Sequence, residues 1–178
     1  MKITDTKTKK LALAALLLAI GMVLPFLTGQ IKEIGDTLLP MHLPVMLCGL
    51  LCGGWYGLAV GAMLPFFRSI CFGMPQFPAV IWMSAELAAY GAVTGLLYKR
   101  FFKKQLWWLY SSLLIAMVAG RVVWGVTKWA LLAARGGAFT LQAFFVGGFA
   151  DAVPGIVLQL VLVPVIVRGF EKWGNKGL

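Results

Sequence analysis

Apolar runs long enough to cross a bilayer recur from one end of this chain to the other, and no other feature limits its fold so severely. A hydrocarbon layer about 30 Å thick needs about 20 apolar residues wound as helix, with every backbone N–H and C=O bonded inside the segment. Six runs meet or approach that length: 11–27, 41–53, 55–70, 79–98, 106–130 and 139–167. The second is short and the sixth is long enough to tilt or to break near Pro154-Gly155. Of the 178 residues, 61% are hydrophobic and 12% charged, which excludes a soluble domain. The expectation is an all-α integral membrane protein with six transmembrane helices, forming one domain over residues 1–178.

The net charge of +10 invites a nucleic-acid reading, but the cations do not form a basic stripe. They stand in short clusters between apolar runs. Six spans place both termini on one side. That side collects Lys2, Lys7, Lys9 and Lys10, then Lys99, Arg100, Lys103 and Lys104, then Arg168, Lys172 and Lys176, eleven of the sixteen cations. The opposite loops hold only Lys32 and Arg135. The positive-inside rule then makes both termini cytoplasmic and excludes nucleic acid as a partner. The basic start followed by an apolar run resembles a signal peptide, but no small-residue cleavage site follows, so it reads as the first span.

Against this background the stretch 119–129 stands out, because a spanning segment here carries two cations. An arginine at the centre of a span costs about 2.5–3.5 kcal/mol on insertion scales. A carboxylate, a water-filled cavity or an anionic ligand must offset that. Arg121, Trp124 and Lys128 fall at i, i+3 and i+7 and share one helix face. By depth, Glu86 in the fourth span lies near Arg121. Arg68 ends the third span, Gln142 begins the sixth, Asp151 is deeper, and His42 stands at the mouth of the second. Two readings stay open. One is an ion pair of Arg121 with Glu86 or Asp151 that serves packing alone. The other is an outward-facing solute pocket with surplus positive charge, lined by Arg121, Lys128, Glu86, Trp124, Gln142, Arg68 and His42. Trp82, Trp129 and Phe145 are available for its apolar wall.

Catalysis finds no support. Cys48, Cys52 and Cys71 make no disulfide framework or metal set with the single histidine, and no nucleophile–histidine pair or phosphate-binding glycine loop is present. Without a Walker motif the chain cannot hydrolyse ATP by that route, so active transport needs an ion gradient or a partner. Glycines 49, 53, 57 and 61, and again 91 and 95, recur at the interval that lets helices approach closely.

Size, six spans, cytoplasmic termini and an outward pocket together are similar to the substrate-binding S components of energy-coupling factor (ECF) vitamin transporters. The most specific local piece is Ala15-Leu16-Leu17-Leu18-Ala19, matching that family's alanine-three-any-alanine motif. Pro40-Met41-His42-Leu43-Pro44, leading into the glycine-rich second span, adds to the likeness. The resemblance implies a multi-pass protein of a prokaryotic cell membrane, with no enzyme activity and no cofactor. It would capture a water-soluble vitamin from outside, chiefly with spans four to six. A membrane coupling subunit and two ABC ATPases would then drive its release inward, with Ala15 and Ala19 contacting the coupling subunit. Members for cobalt or nickel carry an amino-terminal histidine cluster. Here the second residue is Lys2, so no metal substrate is expected. The cationic pocket favours pantothenate, then riboflavin. The alternative is an assembly or packing subunit of a membrane complex with no solute of its own.

Overall fold

The computed structural model describes residues 6–28, 37–100 and 106–176, and among these all regular structure is helical. The loop charges Lys32, Glu33 and Asp36, the end of the basic loop after Arg100, and Lys2 lie outside the described residues. Helix α1 (Lys7–Val23) begins at Thr6, whose extended backbone lets its hydroxyl accept from the Lys9 N–H at 3.4 Å. A 3-10 turn containing Pro25 (Leu24–Thr28) closes it. Helices α2 (His42–Cys52) and α3 (Gly54–Phe72) are separated by Gly53 alone. Its φ of 109° lies where a side chain would be strained, and that angle permits the abrupt reversal. Then follow α4 (Ala79–Arg100), α5 (Leu106–Ala133), a short α6 (Leu141–Phe145) running into a π-helical turn (Val146–Ala150), and α7 (Val153–Lys176).

Among the described residues, five stretches are long and apolar enough to cross a membrane: Lys7–Leu27, Gly54–Phe72, Ala79–Arg100, Leu106–Ala133 and Leu141–Phe170. The protein is a multi-pass membrane protein. Large apolar side chains such as Leu27, Ile70, Trp107 and Val165 point outward, as lipid contact requires. The remaining helix, α2, has 11 residues and so rises only about 16 Å, roughly half the hydrocarbon layer. All of its residues but Leu43 are buried, which makes it an interior element and not a lipid-facing one.

Glycines set how closely the central helices pack. A Cβ on Gly91 of α4 would overlap the Gly57 backbone of α3, and one on Gly95 would overlap backbone at Gly54 and Gly49. A Cβ on Gly61 would meet the Leu87 carbonyl. The recurring glycines therefore bring α2, α3 and α4 together backbone to backbone, with Gly49 on α2 and Gly57 and Gly61 on α3. As residue numbers rise from Gly54 to Gly61, the facing α4 residues fall from Leu96 to Leu87, so α3 and α4 are antiparallel.

The sixth span departs from its expected form. It is interrupted at the π turn and at Asp151-Ala152, a few residues before Pro154-Gly155, and not at that dipeptide itself. Gly147 and Gly148 lie beside the Trp124 indole, where a Cβ would make ordinary van der Waals contact. Pro154 takes the second position of α7, where its missing N–H has no intrahelical partner to lose. Asp151, expected deep in the span, is exposed at this break.

Candidate functional site

Trp82, Glu86 and Tyr90 recur every fourth residue along one face of α4. Lys128, Arg121 and Gly120 of the antiparallel α5 face them in that order. The middle layer holds the ionic contact. Arg121 Nη1 donates to Glu86 Oε1 at 2.8 Å, and both side chains are buried. His42, in the first turn of α2, brings Nε2 to 3.3 Å from the same oxygen. That distance allows charge attraction, but the alignment does not make a hydrogen bond. Tyr90 packs edge-on against the His42 ring, centroids 4.9 Å apart, and lies over Gly120, where any Cβ would overlap its ring.

This cluster has more donors than acceptors. Among the described residues, Arg121 Nε and Nη2, both His42 ring nitrogens and the Tyr90 hydroxyl, all buried, have no hydrogen-bond partner. Leaving a buried donor unmet costs about 1–3 kcal/mol each. Glu86 Oε1 meets both the guanidinium and the imidazole. The surplus suits an acceptor-rich group.

One layer towards the Ala133 end of α5, Lys128 Nζ lies over three rings: Trp124 at 4.6 Å, Phe139 at 5.2 Å and Trp82 at 5.7 Å. Such contacts are worth about 0.5–2 kcal/mol each. Trp124, itself buried, also packs against Phe139 and Phe144. A cavity of about 340 Å³ opens beside this box, walled by Val122, Val126, Trp129, Phe139, Leu141 and Phe144. Apart from Thr140, whose hydroxyl accepts from the Ala143 N–H, its wall is apolar, and it holds none of the charged groups of the neighbouring cluster.

The structure thus brings together Glu86, Arg121 and His42, with Trp124 and Lys128 adjoining. His42, the first residue of α2, is fully buried. Arg68 is turned elsewhere. Its Nη1 donates to the Met22 carbonyl, and its guanidinium lies between Phe26 and Phe72, at 5.2 and 5.4 Å. The last carbonyls of α1 lack intrahelical partners and attract a cation, which explains the placement. Gln142 is exposed on α6 and joins no contact of the cluster among the described residues. Ala15 and Ala19 are exposed on α1, one turn apart, while Ala14, Leu17 and Gly21 face the bundle. Tyr90 was not singled out from the sequence, although its spacing of four from Glu86 carried the signal. Phe139 lies far from Lys128 in spacing terms and only the fold could supply it.

Neither the curated proteins nor the solved structures compared gave a match. The family model for the ECF transporter, substrate-specific component, matches residues 9–167, nearly the whole chain. This protein belongs to the substrate-specific components of ECF transporters.

Proposed function

We propose that the chain captures a water-soluble vitamin, pantothenate before riboflavin, with Arg121 receiving the carboxylate of pantothenate. Lys128 and Trp124 stand next to it, Glu86 orients the guanidinium, and both termini are cytoplasmic. Membership in the family makes the chain a transport subunit and not an enzyme, and implies association with an ECF module of coupling subunit and ATPases. The exposed Ala15–Ala19 strip of α1 is the proposed contact with the coupling subunit, and ATP-driven release inward is the proposed consequence. One observation carries the reading: Arg121 is buried, yet among the described residues two of its three nitrogens have no hydrogen-bond partner. A guanidinium with a free edge matches a carboxylate bidentately.

A second reading, a packing subunit, draws on the complete burial of the Glu86–Arg121 pair. Titration separates the two. Pantothenate and its uncharged alcohol, panthenol, are titrated into the wild type, Arg121→Lys and Arg121→Ala. The acid should bind more tightly than the alcohol. Arg121→Lys should weaken acid binding despite the retained charge, and Arg121→Ala should weaken it further, by about 2–5 kcal/mol. Equal affinity for acid and alcohol, or full binding by Arg121→Ala, would leave the pair a packing device.

A further inference from the structure

Arg121, Lys128 and Arg135 recur every seventh residue along α5 and the turn that ends it. Seven residues is close to two helical turns, so the three follow one stripe at steps of about 10 Å. Exposure rises along it. Arg121 is 3% exposed, Lys128 is half-buried within its three rings, and Arg135 is exposed. The winding carries past Ala133 far enough to keep Arg135 near the stripe. The Ala134 N–H bonds the Ala130 carbonyl at 3.0 Å, and the Arg135 N–H bonds that of Leu132 at 3.0 Å. Only at Gly136, φ 72°, does the chain turn away, with the Gly136 and Gly137 N–H groups returning to Ala133 and Leu132. Among the described residues no carboxylate forms an ion pair with Arg135.

Resting on the carboxylate reading above, we infer that Arg135 is the capture residue of this site. It draws a small organic anion to the exposed end of α5, from which Lys128 and then Arg121 receive it. The chemistry favours this order. An exposed arginine is hydrated and holds an anion weakly, so it raises encounter frequency without trapping the solute. Lys128 is partly desolvated by ring faces, and its attraction is less screened. Arg121 is buried and offers unmet donors, so the anion gains most there. Arg135 also stands at the carboxyl end of α5, where any cation is favoured by the helix dipole. That role alone would change stability and leave association kinetics untouched.

The test uses the full chain in nanodiscs of zwitterionic lipid. Pantothenate association and dissociation are followed by tryptophan fluorescence, since Trp82 and Trp124 flank Lys128. Arg135→Gln should slow association about tenfold at low salt, flatten its salt dependence and leave dissociation within about twofold. Arg135→Lys should restore association, Arg135→Glu should slow it further, and panthenol should associate equally with all of them. Unchanged association and salt dependence in both Arg135→Gln and Arg135→Glu, with the wild type binding pantothenate, would overturn the capture role alone. Failure of the wild type itself to prefer pantothenate over panthenol would overturn the carboxylate reading, and the capture role with it.

Discussion

Glu86→Gln separates a solute site from a packing pair by the sign of its effect. The substitution keeps an oxygen where Oε1 accepts from Arg121 at 2.8 Å, and removes the charge. Breaking a buried ion pair from one side costs about 3–5 kcal/mol. With the hydrogen bond retained, the lower end, about 3 kcal/mol, is the expected loss without ligand. Binding should move the other way. Two carboxylates on opposite edges of one guanidinium lie about 5–6 Å apart and, at an effective dielectric of about 20, repel by about 3 kcal/mol. If half of that survives local relaxation, Glu86→Gln should bind pantothenate about tenfold more tightly than the wild type. Panthenol, lacking the charge, should gain nothing. The assay is calorimetric titration of acid and alcohol into the purified chain, with thermal unfolding at several pantothenate concentrations. The variant should be less stable alone and recover more stability per increment of ligand. Loss of stability without any gain in acid affinity would refute the shared-guanidinium argument and favour packing.

Other outcomes follow from the same contacts. Gly91→Ala places a methyl against the Gly57 backbone and should destabilise by about 1–3 kcal/mol in thermal unfolding. Gly169→Ala, within α7 and facing open space, should be neutral or stabilising by up to about 1 kcal/mol, and equal effects at the two positions would contradict the close-approach argument. Ala15→Trp and Ala19→Trp add bulk to the exposed face of α1, so pantothenate binding by the isolated chain should persist while ATP-driven uptake falls. Unimpaired uptake would remove α1 as the docking surface. With the exposed Cys71 replaced by serine, a membrane-impermeant thiol reagent should label an introduced Gly136→Cys from outside intact cells and miss Lys103→Cys. The reverse pattern would invert the topology.

How much of this was legible in the chain depended on whether a signal was local. The long helices were, because bilayer length and apolar content act segment by segment, and the Gly53-Gly54 break was, because a positive φ favours glycine. The Arg121 partner was narrowed to Glu86 or Asp151, and the fold selects Glu86. Asp151 is lost to the cluster because glycines at 147 and 148 and Pro154 break the sixth span just where it would have been carried inward. Arg68 and His42 could be placed from the sequence by height alone. Sequence depth gives height along the bundle but not rotation about the helix, and rotation decides that Arg68 faces α1 and that His42 faces Glu86.

Rotation and register are in turn set by the glycines, which ties the site to the packing. Gly91 contacts α3 backbone one residue after Tyr90 contacts His42 and the α5 face, so α4 is held on two adjacent faces within one turn. Sliding α4 by a turn would separate Glu86 from Arg121 by about 5 Å and force side chains into the glycine contacts at the same time. The ionic layer is therefore held by apolar, glycine-mediated packing more than by its own attraction. This explains how Arg121 can keep two nitrogens without a partner among the described residues while the bundle does not rearrange to satisfy them. A site whose unmet donors are fixed by surrounding close packing is preorganised for an incoming acceptor, because the reorganisation is complete before the solute arrives.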